Sequence, residues 1–242
     1  MATPAIDSAY SIVNDAYEDA GLIQDTQDLT GAQLAKGMKR LRDIINICQT
    51  KGLKMFSWVD TTVPLTAAQA AYTFYASGSV AMTKPLRALQ AFYLYTATNV
   101  RRPLTVLSAN DYYTLGQAGI LTANQGTISQ FYVQKLFDRL TVTFWLCPDT
   151  TEAANGAVHI LFQKQITNPL ELDETVEFPP EWRIYLRWAL AYDLATGQPQ
   201  AVIDRCEKNA AVYADALEGF DVEDAPTSIQ PDSRTGVPGN FR

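Results

Sequence analysis

The hydrophobic pattern of this chain changes period twice. Residues 4–54 repeat apolar side chains at three- and four-residue steps. Residues 56–170 run in short segments rich in Val, Thr, Tyr and Phe, and residues 179–219 return to the helical step. Residues 221–242 fit neither period. A helix with one apolar stripe must bury it against another element. The layout therefore predicts an α+β fold, with a helical bundle from both chain ends, an inserted β-rich module and an extended C-terminal tail. The segments are 1–55, the first half of a helical platform; 56–170, the β-rich insertion; 171–220, the second half of the platform; and 221–242, an extended C-terminal arm.

Local signals sharpen the helices. Thr3-Pro4 reads as a cap and first helical position, and Ile6, Tyr10, Val13, Tyr17 and Ala20 form the stripe that follows. Gly21 is placed to stop that helix in the left-handed conformation. Thr30-Gly31-Ala32-Gln33 matches a capping box, and Leu34, Met38, Leu41, Ile45 and Cys48 follow at helical spacing. Pro179-Pro180-Glu181 reopens helix, with Trp182, Tyr185, Leu186, Ala189, Leu190 and Leu194 as its apolar face. A last helix over about 200–218 is closed by Gly219. Between these, strands are predicted at Thr61–Leu65, Ala71–Tyr75, Leu86–Tyr95, Ser129–Lys135, Leu140–Leu146 and Ala157–Ile166. Ser108 reads as the cap of a short helix.

Charge is segregated. The net charge is −7, which disfavours a broad grip on nucleic acid, because phosphate binding rests on Lys and Arg. Lys36, Lys39, Arg40, Arg42, Lys51 and Lys54 lie close together, against Asp43 alone, whereas residues 171–224 hold thirteen acids and four bases. These opposite patches either pair within one subunit or meet across subunits and fix their register. Lys36, Lys39, Arg40 and Arg42 are the candidate subunit-interface residues.

Residues that carry chemistry are sparse. His159 is the only histidine and sits in a strand-like run, which points to a structural role. Cys48, Cys147 and Cys206 are widely spaced and odd in number, as expected of buried free thiols. Neither a zinc-ligand spacing nor a phosphate-binding glycine loop occurs. Glu171 with Asp173 and Glu174 forms a carboxylate cluster best read as a solvated connection. Residues 1–35 hold no Lys or Arg, so no secretion leader is expected, and no apolar run reaches the ~18 residues of a spanning helix. No enzyme activity, cofactor, metal or membrane partner is expected. The arm, with Pro226, Pro231, Pro238, Gly236 and Gly239, has too few apolar residues for a core. It is expected to order on a partner through Ile229, Val237, Phe241 and Arg242.

The order of these signals resembles the head-to-tail adaptors, or packaged-DNA stabilisation and tail accessory factors, of P22-like short-tailed phages. The resemblance rests on dispersed residues over about 5–220. They are Ala20-Gly21-Leu22-Ile23; Leu34, Met38, Leu41 and Ile45 running into Gly52-Leu53-Lys54-Met55-Phe56; Tyr72-Thr73; Pro103-Leu104 with Ser108 and Tyr112; and Phe178-Pro179-Pro180-Glu181-Trp182 followed by Tyr185-Leu186, Leu190-Ala191 and Leu194-Ala195. The resemblance implies a structural virion protein of the neck, assembled from host cytoplasm. It implies a dodecameric homo-oligomeric ring on the portal protein that retains packaged DNA and forms the platform for distal tail proteins, whether nozzle, hub or fibre. DNA would pass through the lumen without sequence-specific binding, and the C-terminal arm would reach the portal. Peptidoglycan hydrolysis, attributed to a member of that family, finds no residue pair here. The alternatives are another neck or tail structural component or, less readily, a wall hydrolase.

Overall fold

Alternating side chains along the strands set the architecture. In the computed structural model, which describes residues 8–24, 27–50, 55–115 and 124–220, every second residue of the main strands points into one apolar core. These are Tyr72 and Phe74; Ala91 and Tyr93; Leu140, Val142 and Phe144; and Val158, Ile160 and Phe162. The strands are β1 (Trp58–Pro64), β2 (Ala71–Tyr75), β3 (Val80–Ala81), β4 (Arg87–Tyr95), β5 (Val100–Leu107), β6 (Gln125–Gly126), β7 (Gln130–Lys135), β8 (Leu140–Trp145), β9 (Cys147–Pro148) and β10 (Gly156–Gln163). Eight of them form one mixed sheet in the order β1-β10-β4-β5-β7-β8-β2-β3, while β6 and β9 pair separately.

The large sheet rolls until it is nearly closed. Phe74 on β2 and Phe162 on β10 stand near opposite ends of the strand order, yet their ring centroids are 4.7 Å apart. The turn of the sheet is made at β5. Residues 100–104 of β5 pair antiparallel with β4, and residues 105–107 pair parallel with β7. A strand that changes partners along its length is how one sheet turns a corner.

This arrangement overturns the expected helical bundle from both chain ends. The described residues are mostly the large, nearly closed mixed sheet, and the six α-helices among them are subordinate to it. Strand β5 is absent from the expected strands, and its Arg101-Arg102-Pro103 breaks a strand pattern. Without β5, the middle of the chain looks like a modest insertion, whereas with it the two halves become one sheet.

The helices are α1 (Ala9–Asp19), α2 (Gly31–Cys48), α3 (Ala109–Thr114), α4 (Thr150–Asn155), α5 (Arg183–Leu194) and α6 (Gln200–Phe220). Helix α1 starts at Ala9, capped by Ser8; the expected Thr3-Pro4 cap lies outside the described residues. Ser8 is held extended by a bridge to Thr175, and its hydroxyl accepts from the Ser11 amide. Gly21, at φ +66°, closes α1 in a Schellman motif, with Leu22 N–H on the Tyr17 carbonyl and Gly21 N–H on Glu18. The capping box of Thr30 and Gln33 opens α2. Helix α6 continues through Gly219 to Phe220. Helix α4, capped by Asp149, lies against the Tyr93 end of the sheet core.

Helices α1, α2, α5 and α6 share a second core beside the sheet, with Ile12, Val13, Leu41, Ile45, Leu186, Leu190 and Cys206 buried. Helix α5 packs against the other three. The junction of the two cores is polar. The Gln49 side chain, just past α2, accepts from the Ile166 amide at 3.0 Å, and Gln163 ends β10 fully buried beneath the Gln49 carbonyl. Glu177 then pins the exit from β10, accepting from Lys164 and from the Thr167 amide.

Two outcomes follow from this packing. A Cβ on Gly37 would lie 2.5 Å from Val13 Cγ1, a stiff β-branched neighbour, so α1 and α2 meet only because position 37 is bare. Gly37→Ala gains up to ~1 kcal/mol of helix propensity, but overpacking outweighs it, for a net loss of about 1–2 kcal/mol in urea unfolding. Burial acts to raise the Glu177 pKa, but hydrogen bonds from Lys164 and Thr167 outweigh it and leave the carboxyl below its usual 4.5. A depressed carboxyl stabilises the fold above its unfolded pKa, and that contribution is lost as pH falls through the folded value. Glu177→Gln is therefore expected to lower the unfolding midpoint at neutral pH, with the difference from wild type vanishing as pH falls well below 4.5.

Candidate assembly interface

Part of the charge of the helical layer is matched within the chain. The acids of α1 face the arginines of α5: Asp15 lies 2.7 Å from Arg183, and Asp19 lies 2.6 Å from Arg187. Arg205 of α6 donates to the Asp19 carbonyl. Burial pushes the Asp19 carboxyl above its usual range, with Arg187 acting against it.

The four predicted interface residues divide. Arg40 reaches across to α5, pairing with the Asp193 carboxylate at 2.9 Å and donating to its carbonyl. Arg42 donates to the carbonyls of Pro169 and Leu170 at 2.8 and 2.9 Å. Lys36 and Lys39 are exposed and make no ion pair or hydrogen bond among the described residues. They share one outer edge of α2 with Asp43 and with Ile47, which is 55% exposed. The predicted arm residues Ile229, Val237, Phe241 and Arg242 lie outside the described residues.

The structure adds a surface that the periodicity did not separate from the core. Ile184, Trp188 and Tyr192 recur every fourth residue on α5. Ile184 is 38% exposed, Tyr192 is 41% exposed, and Trp188 between them is half-buried. On one flank of this stripe is α2, reached through Tyr185 to Cys48 and Asp193 to Arg40. On the other is α6, which also touches the end of α1 through Arg205 and Cys206. The outer side of α6 carries Asp204, Glu207, Ala211, Asp215 and Glu218, all exposed and spaced to form one ridge. Glu207, Asp215 and Glu218 make no ion pair among the described residues. The Tyr185 hydroxyl has its pKa raised by burial first, then by Cys48 and by Glu218, which places the end of this ridge near the start of α5. The signal was present in the sequence: α5 is apolar on more than one face, and α6 repeats acids at helical spacing.

The other polar clusters brace the fold. Arg102 pairs with the buried Glu152 at 2.9 Å and donates to the Tyr95 hydroxyl, and the Tyr93 hydroxyl donates to the Glu152 carbonyl. Burial and the Glu152 carboxylate push the Tyr93 pKa up to about 12. His159 stacks flat on Phe92 with centroids 4.9 Å apart, and its Nδ1 lies 3.2 Å from Asp60. Of the acidic connection, Glu174 accepts from the Leu170 amide, while Glu171 and Asp173 are exposed. Cys48, Cys147 and Cys206 are buried and unbridged. Among the described residues, no group of three or more His, Cys, Asp or Glu side chains is placed to hold a metal ion. No described helix is long and apolar enough to cross a membrane. No protein-family model and no curated protein matches the chain.

Proposed function

We propose that this chain is a structural virion protein, a head-to-tail adaptor that forms a ring on the portal, retains packaged DNA and provides the platform for the tail. The observation that carries the reading is the separation of two unlike surfaces by α5. The lysine edge of α2 is on one flank, the acidic ridge of α6 is on the other, and between them lies a partly exposed apolar stripe whose Trp188 packs on the helical core beneath Arg187. A closed ring needs two different, complementary patches on each subunit, whereas a two-fold dimer needs only one patch that meets itself.

The internal pairing of Arg40 and Arg42 narrows the basic side of the contact to Lys36 and Lys39. The net charge of −7 suits a conduit. Packaged DNA must leave through the lumen, and a cationic wall would hold a polyanion that an acidic wall lets slide. The portal, the distal tail proteins and the dodecameric state enter through the resemblance to phage adaptors, as does a portal-directed role for residues 221–242.

The test is electron microscopy of the purified full chain with and without portal protein. Rings stacked on the portal are expected. Because the contact joins exposed charges, it weakens once salt shortens the Debye length below the ~8 Å of physiological ionic strength. Ring occupancy should therefore fall as sodium chloride is raised. Portal particles that remain bare at low salt would reject the adaptor reading.

A further inference from the structure

The subunit contact of the proposed ring can be assigned to particular residues, and this assignment rests on the ring reading. We propose that the Lys36–Lys39 edge of α2 in one copy seats on the Glu207–Asp215–Glu218 ridge of α6 in the next copy. Ile47 of the incoming helix covers the partly exposed Ile184–Trp188–Tyr192 stripe of α5. The occupant is thus a second copy of this chain.

Charge selects the occupant. The ridge carries four carboxylates, Asp204, Glu207, Asp215 and Glu218, with Lys208 beside them. Only Asp204 has a hydrogen-bond partner given among the described residues, the Gln200 amide at 2.7 Å. The lysines opposite are equally unpartnered, and Asp43 is the single acid on their edge. Spacing also agrees. Lys36 and Lys39 are three residues apart on one helix face, as are Asp204 with Glu207 and Asp215 with Glu218. Helices that cross at a shallow angle align such steps.

Within one chain the contact is not made: among the described residues no ion pair joins Lys36 or Lys39 to the α6 ridge, although Glu218 at its end lies near Tyr185. Helices α2 and α6 take different flanks of α5, with the stripe between them. A neighbour beside the first copy brings its α2 to the α6 flank, and the operation repeats around a ring. Val212, 55% exposed on α6, adds apolar surface near the ridge.

The experiment uses two variants of the full chain, Lys36→Glu with Lys39→Glu, and Glu207→Lys with Asp215→Lys. All four positions are exposed, so far-UV circular dichroism and the unfolding midpoint should match wild type. Assembly is read by sedimentation velocity, alone and with portal protein. Each variant alone is expected to associate at least ten-fold more weakly than wild type, because its own two surfaces now repel. An equimolar mixture should recover assembly, because every contact between unlike variants again joins opposite charges. Full assembly of either variant alone overturns the assignment while leaving the ring reading intact, as does a mixture no better than its parts. A wild-type chain that stays monomeric in every condition overturns both.

Discussion

The hydrogen bonds of β5 hold the architecture together. Its first half completes the ladder β1-β10-β4-β5, and its second half starts the ladder β5-β7-β8-β2-β3. Loss of either set leaves two small sheets, each with its apolar face open to water. Pro103 fits this division of labour. It pairs opposite Phe92 in the half of β5 that has β4 on one side and no strand on the other. There a missing N–H is tolerated, as it would not be in the middle of a two-sided ladder. Arg102, next to it, pairs with Glu152 of α4 and lies over the rings of Tyr93 and Tyr95. The residues that look least like a strand are therefore those that fasten the corner.

The second constraint is the polar joint between the sheet and the helical layer. The chain crosses it twice, between α2 and β1 and again after β10. Gln49 ties the crossings by accepting from the Ile166 amide while its own carbonyl faces Gln163. Asn46 adds to the same joint, accepting from Gln49 and from Asn168 at 3.0 Å each. Directional hydrogen bonds of this kind favour one arrangement, where two greasy surfaces would slide, although Gln163 Oε1 and Asn168 Oδ1 are buried without a partner among the described residues. Tilted Phe56, Phe178 and Trp182 rings, 5.4–5.9 Å apart, close the apolar side of the joint. In the proposed assembly a fixed joint would make the sheet unit follow whatever position the helical layer takes.

Legibility followed chemistry that acts locally. The capping box at Thr30, the left-handed stop at Gly21 and the alternation of Leu140, Val142 and Phe144 are properties of neighbouring residues, and each could be read directly. The Ser8 cap of α1 was not legible, because the bridge to Thr175 that holds Ser8 extended is a long-range contact. The fold class was lost in the same way. The pairing of β5 with two different strands is non-local, and its own residues argue against it. At the interface, Lys36 and Arg40 look alike in sequence. Only the position of Asp193, far along the chain, divides a lysine left in solvent from an arginine held in a pair.

That division changes how the charge pattern should be understood. Segregated charge along a sequence invites an intermolecular reading, yet in this chain part of it is answered internally: α1 acids by α5 arginines, Arg40 by Asp193, and Arg42 by backbone carbonyls. Such pairs, half exposed, contribute little to stability beyond fixing helix register. The remainder is more informative than the total. Two lysines on one helix and an acidic ridge on another are left unanswered, and they border the same partly exposed apolar stripe. Exposed charges of one sign at regular spacing repel each other in the free subunit. Desolvating them against the opposite sign in a neighbour relieves that repulsion at both surfaces together. In the proposed ring, relief of that repulsion would supply part of the free energy of association, and only to a partner that presents both surfaces in the same order.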